Sequence, residues 1–200
     1  HSCVGRIRYL GVLLYDADRV AEAGKVSDAD LVESYRSCIL DPDDPEVRAA
    51  ARASGVSEEF IAAARSSPVW KYVGKWKLAL PLHPEFRTFP MLFYVPPLLP
   101  VMGRVDGGLY EHEGESFFPS FDSARIPIQY LANLFAAGNR AHVEAVLRKL
   151  MAVRQYKRSQ ELGDVDADAT QRMLREAKLT AEDAEAIFAL TAIAPLQERF

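Results

Sequence analysis

The stretch RIPIQYLANLFAAGNRAHVEAVLRKLMAVRQYKR, residues 125–158, decides the fold class. Its apolar side chains fall three and four apart: Ile128, Leu131, Leu134 and Phe135, then Val143, Val146, Leu147, Leu150 and Val153. That spacing is the period of an amphipathic α-helix, not the alternation of a strand. Pro127 stands where a helix tolerates a missing amide, and Gly138 where one helix stops and the next begins. Arg154, Lys157 and Arg158 gather near the end of the second helix, where the carbonyl end of the dipole favours cations. The pattern predicts two helices joined by a tight turn.

The same signals recur outward from this pair. The acidic DVDAD at 164–168 opens another short helix running to about 178. Thr180 and Asp183 then resemble a capping pair for a last helix carrying Ile187, Phe188, Leu190 and Thr191. Toward the N-terminus, Ser27 and Asp28 cap a helix with Leu31, Val32, Tyr35 and Cys38 on its apolar side, and DPDDP at 41–45 ends it. Pro45 begins a further helix that Gly55 closes, and Ser57 opens SEEFIAAARSS. These alanine-rich pieces predict a small helical hairpin with close packing. Ahead of them, Ile7, Tyr9, Leu10, Val12, Leu13, Leu14 and Tyr15 form a β-rich run between Gly5 and a turn signal at Asp16–Asp18, which predicts one short strand.

Residues 70–100 read differently. WKYVGKWKLALPLHPEFRTFPMLFYVPPLLP carries six prolines between 81 and 100 together with many large apolar side chains. Proline excludes both helix interiors and central strands, so the segment predicts a long, rigid, extended strap. Two readings stay open: a strap over the chain's own core, or a surface strap that another subunit buries. Residues 103–123, rich in glycine and carboxylates, read as a loop.

Composition narrows the function classes. Two hundred residues, 49% hydrophobic and 26% charged, suit one domain or one domain with an appended segment. A net charge of −4 argues against a nucleic-acid partner, which needs a cationic surplus. No apolar run approaches the roughly 18 residues that span a bilayer. There is no glycine-rich phosphate loop, no G-x-S-x-G and no H-E-x-x-H, and no catalytic residue is assigned. The histidines at 1, 83, 112 and 142 are scattered; His112, Glu113 and Glu115 read as a solvated acidic loop, and the Arg154–Arg158 cluster as a wet helix end. Of two cysteines, Cys38 reads as a buried structural thiol, with a Cys3–Cys38 bridge as the alternative.

Cys3 is the candidate with chemistry. Iron–sulfur clusters are held by thiolates, commonly a tight run plus a distant fourth, and a lone cysteine directly before a strand suits that fourth position. The opening HSCVGR therefore reads as the cut end of a longer chain. CVGRIRYLGVLLYDADR (3–19) resembles the corresponding junction in the beta chains, the iron–sulfur subunits, of membrane-bound respiratory nitrate reductases. The likeness continues through LDPDDPEV, SPVWK, WKLALPLHPEFRTFPMLFYVPPLLP, RIPIQYLANLFAAGN, LRKLMAVRQYKR and LQERF, nearly the whole chain in order.

The resemblance implies that Cys3 ligates a 4Fe–4S cluster whose other thiolates lie in a preceding ferredoxin-like part. That part carries further 4Fe–4S clusters and a 3Fe–4S cluster. Arg6 and Arg8 would then neighbour an anionic cluster. It also implies partners: a molybdenum-containing catalytic alpha subunit and a membrane haem b gamma subunit that oxidises quinol. The complex would sit at the cytoplasmic face of the cell membrane, this chain supplying no span of its own. The fold class expected is mainly α, a helical extension with one short N-terminal strand and a long proline-rich strap, appended to a ferredoxin-like domain. Its expected divisions are 1–16, the end of the iron–sulfur domain; 17–102, helical hairpin and strap; 103–124, loop; and 125–200, a C-terminal helical domain. The fragment is expected to dock subunits rather than to catalyse. The competing readings are the beta chain of a nitrite oxidoreductase or of a chlorate, perchlorate or selenate reductase, and a helical interaction module with no redox role.

Overall fold

A computed structural model of the chain describes residues 9–96, 126–162 and 167–192. Helices dominate it. Asp16 does not simply turn the chain: its carboxylate accepts from the amides of Asp18 and Arg19 and caps α1, Ala17–Ala23. A 3₁₀ turn at Asp28–Asp30 leads into α2, Leu31–Ser37. Leu31, Val32, Tyr35 and the following Cys38 are all buried, as their spacing predicts. Pro45 starts α3 (Pro45–Ala53) under an Asp44 cap, and Ser57 caps α4 (Glu58–Ser66). Gly55, between them, has φ +84°, a backbone that glycine enters without a Cβ clash.

Two expectations are corrected here. The alanine-rich hairpin does not pack closely into the molecule: α3 buries no residue and α4 only Ile61 and Ala64, so it rides on the surface. The N-terminal apolar run makes, over its described residues, a single antiparallel bridge, Tyr15 to Ile39, in place of a strand. Its flanking bonds, Leu40 N to Leu14 O at 2.8 Å and Asp16 N to Cys38 O at 2.8 Å, complete the pairing. Of the rest, Tyr9 and Leu13 pack against the main core while Leu10 is exposed; Tyr9 Oη donates to the carbonyl of Leu190 at 2.7 Å.

The proline-rich segment begins as helix, not as extended chain. Ser67 caps α5 (Pro68–Trp70), which continues as one π turn, Lys71–Lys75. Gly74 makes this turn feasible: a Cβ there would fall 1.8 Å from the Trp70 ring. Beyond Trp76 the chain is extended. Two short strands, β1 (Leu80–Pro81) and β2 (Phe93–Tyr94), pair antiparallel with Leu80 opposite Tyr94. A 3₁₀ turn, Pro84–Phe86, lies in the connection.

The C-terminal bundle follows its periodicity. Helices α6 (Ile128–Phe135), α8 (Ala167–Glu176) and α9 (Ala181–Ala192) all pack on the long α7 (Arg140–Leu162). Val143, Val146, Leu147, Leu150 and Val153 are each buried. Gly138, at φ +84°, ends the α6 turn by donating to Ala132 O at 2.9 Å. Thr180 Oγ1 accepts from Asp183 N at 3.0 Å while Asp183 Oδ2 accepts from Thr180 N at 3.2 Å, a reciprocal cap. Lys157, expected at a wet helix end, instead reaches α9: its ammonium pairs with Glu185 at 3.1 Å and lies over the Phe188 ring. One hydrophobic core joins Val32, the 70–80 segment and α6 to α9. A smaller cluster gathers Ala23, Leu31, Tyr35 and Cys38. Among the described residues, no helix is long and apolar enough to cross a membrane.

Candidate functional site

The proline-rich segment divides into two legs with opposite environments. The inner leg, 76–81, runs through the core: Trp76, Leu78 and Leu80 are buried. Extended backbone inside a helical molecule has no ladder partner, and its buried carbonyls must find donors elsewhere. Side chains supply them. The buried Arg36 of α2 donates through Nη2 to Ala79 O at 2.9 Å and Lys77 O at 3.3 Å. Lys149 of α7 donates to Trp76 O at 2.7 Å, and the Trp76 indole N–H donates to Asp183 of α9 at 3.1 Å. Three helices thereby hold one strand-like leg.

Glu33 balances this cationic clasp, accepting from Arg36 at 2.5 Å and from Lys77 at 2.9 Å. Burial pushes the Glu33 carboxyl upward, but the hydrogen bonds from Lys77 and Arg36 outweigh it and hold the group below the ordinary glutamate range. Burial, seconded by the charges of Arg36 and Lys77, lowers the Lys149 ammonium. Sequence reading assigned neither cation a role. The signal was there: Arg36 falls four residues after buried Val32, and Lys149 three after buried Val146, so each sits beside an apolar stripe.

The outer part, residues 82–92, is the tip of the β1–β2 hairpin and leaves Phe86, Met91 and Leu92 facing outward. Met91 is 83% exposed, Phe86 73% and Leu92 64%. Single exposed apolar residues are ordinary; three within seven residues are a denser run than that. The tip is nevertheless ordered by contacts on its inner side. Phe89 stacks on Tyr15, ring centroids 5.0 Å apart, and meets Tyr35 edge-on at 6.4 Å. His83 N donates to Leu134 O at 2.8 Å, and its Nδ1 lies 2.8 Å from Glu85. Tyr94 stacks on Phe135 at 4.4 Å.

The redox candidates do not enter this picture. Cys3, Arg6 and Arg8 lie outside the described residues, as do His112, Glu113 and Glu115. Cys38 is a free, buried thiol near Ser34 O; burial raises it, which suits packing and not metal binding. Among the described residues, no group of three His, Cys, Asp or Glu side chains could hold a metal ion. The described residues therefore do not make a cluster site, and one thiolate from Cys3 could not make one alone.

Comparison with known proteins locates the chain. Residues 98–181 match the family described as Respiratory nitrate reductase beta C-terminal. The whole chain aligns with the nitrate reductase beta chain of Bacillus subtilis at 44% identity over 201 residues, covering 40% of that protein. The chain belongs to the respiratory nitrate reductase beta-chain family. The Escherichia coli respiratory nitrate reductase 2 beta chain is 47% identical over the full chain and 38% of its own length. The selenate reductase subunit beta of Thauera selenatis is 38% identical over 101 residues, half of this chain and 28% of that protein. The chain thus spans about two fifths of the length of the nitrate reductase relatives it matches, and within the family it corresponds to the C-terminal part.

Proposed function

We propose that this chain is the C-terminal brace of an electron-transferring iron–sulfur subunit in a respiratory nitrate reductase. The observation that carries the reading is full-length identity of 44–47% to two nitrate reductase beta chains. On this reading the whole subunit passes electrons from a membrane haem b subunit, which oxidises quinol, to a molybdenum subunit that reduces nitrate. The assembly lies at the cytoplasmic face of the membrane. This part does no bond-making chemistry; it holds the relay against its neighbours. Residues 1–16 close the ferredoxin-like domain, and the helices and strap that follow form the brace.

Within that reading Cys3 supplies one thiolate to a 4Fe–4S cluster, the remaining ligands and the other 4Fe–4S and 3Fe–4S clusters belonging to the ferredoxin-like part. Arg6 and Arg8 place positive charge and N–H donors beside an anionic centre. The test is Cys3→Ala in the full-length chain, read by iron content per chain and by electron paramagnetic resonance. Loss of one cluster signal supports the assignment; a full set of signals leaves a helical module with no redox ligand. Arg6→Gln should shift that cluster's potential, and an unchanged potential removes Arg6 from its surroundings.

A second reading rests on the half-length likeness to a selenate reductase beta subunit. A complex purified through this chain and assayed with nitrate, selenate and chlorate separates the two, because the oxyanion is chosen by the catalytic subunit that copurifies.

A further inference from the structure

The tip of the strap has a backbone that its own sequence does not favour. Its 3₁₀ turn, Pro84–Phe86, is bracketed by two left-handed residues, His83 at φ +51° and Arg87 at φ +57°. Non-glycine side chains rarely adopt this region, and His83 is further restricted by the proline after it. Such a conformation persists only where surrounding contacts over-determine it. Among the tip's contacts, those of Arg87 are the most concentrated. Its Nη1 donates to Gly24 O and to Val26 O, both at 2.7 Å, and its Nη2 donates to Asp28 at 2.5 Å. The first acceptor is a carbonyl at the C-terminal end of α1, where helix geometry leaves oxygens without internal partners. The backbones also approach closely: a Cβ on Gly24 would stand 3.5 Å from Arg87 O.

We propose that Arg87 is a latch that holds residues 82–92 in one apolar-outward conformation, and that without it the tip opens while residues 68–81 stay folded. The planar guanidinium engages three acceptors at once from a single left-handed residue. A lysine in its place offers one ammonium and cannot span them. The latch itself joins the tip to the α1–α2 connection and not to the inner leg, so its release loosens the tip and leaves residues 68–81 in place. Phe86, Met91 and Leu92 are then presented ready-formed when the latch is closed, which lowers the ordering cost of any association through them. Only this last step rests on the docking role proposed above.

The experiment is amide hydrogen exchange by mass spectrometry on the full-length chain, wild type against Arg87→Gly, Arg87→Lys and Asp28→Asn. Glycine keeps the left-handed backbone easy while deleting the latch, so exchange in 82–92 should rise at least about tenfold, with 68–81 unchanged. Arg87→Lys should behave nearly like Arg87→Gly, and Asp28→Asn, which weakens one of three acceptors, should show a rise of about two- to threefold. Wild-type exchange in the tip of Arg87→Gly overturns the proposal, as does an equal rise in 68–81, which would mean general destabilisation. Co-purification with partner subunits is scored separately. An opened tip with intact assembly keeps the latch and discards docking through the tip; an unchanged tip discards the latch whatever assembly does.

Discussion

The inner leg and the tip of the strap share composition, proline content and chain continuity, yet one is core and the other surface. Trp76, Leu78 and Leu80 are buried, and the backbone oxygens of Trp76, Lys77 and Ala79 are served by Lys149 and Arg36. Eleven or so residues further on, Met91 and Leu92 stand in solvent. The difference lies in what surrounds each leg. Helices α2, α7 and α9 bring donors, an acceptor and apolar faces to the inner leg. Among the described residues, the tip meets the α1–α2 connection, α2, the rings of Tyr15 and Tyr35 and the end of α6. Apolar sequence therefore marks two different things in one segment: surface covered by this chain's own helices, and surface that the described residues leave exposed.

The largest effects should come from the inner leg. Trp76→Ala empties a buried site and removes one donor from the Asp183 carboxylate, and should cost about 3–5 kcal/mol in denaturant unfolding. Gly74→Ala forces a methyl into the Trp70 ring and should cost about 3 kcal/mol; a cost near zero would mean that the π turn is not held as described. Arg36→Met leaves the carbonyls of Lys77 and Ala79 without their donor and should cost about 2 kcal/mol. Glu33→Gln should act mainly on pH dependence. Because the folded carboxyl titrates below its unfolded value, its pairing contributes above about pH 4.3 and fades as pH falls through the lower, folded value. Chemical denaturation from pH 6 to 3 should thus show a shallower acid decline in the variant. Last, Met91→Ser and Phe86→Ser should change stability by no more than about 0.5 kcal/mol while reducing self-association or subunit recovery. A loss like that of Trp76→Ala would erase the contrast between the legs.

Much of this was readable from spacing. The α6–α7 pair, its glycine stop and its five buried aliphatic positions came out where the three-and-four pattern put them. So did the helix starts at Pro45 and Ser57 and the capping pair at Thr180 and Asp183. Such features depend on neighbours within one helical turn, and local sequence contains them. The failures were of another kind. The run ending at Tyr15 has strand-like residues, but a strand also needs an adjacent extended segment, and among the described residues pairing stops at the Tyr15–Ile39 bridge and the Leu14–Leu40 bond beside it. Trp70–Lys75, read as the start of an extended strap, is helical because Ser67 caps it and Gly74 admits the Trp70 ring. The alanines of α3 suggested close packing, but among the described residues none of them is buried, and Ala51 alone is half-covered.

The site was legible only in outline. An apolar, proline-rich strap stood out, whereas Arg87 gave no sign of its role, since its three acceptors lie about sixty positions away. The residues with redox promise, Cys3, Arg6 and Arg8, rest on family likeness and await chemical test.

Periodicity, caps and stops were sufficient for the helices, and ordered motifs along the chain were sufficient for the family, because both are written in short or collinear runs of residues. Which half of the strap is buried, which cations clasp it and what pins its tip followed only once distant segments were brought together. Burial and hydrogen-bond satisfaction are properties of a residue's surroundings, and those surroundings come from all along the chain.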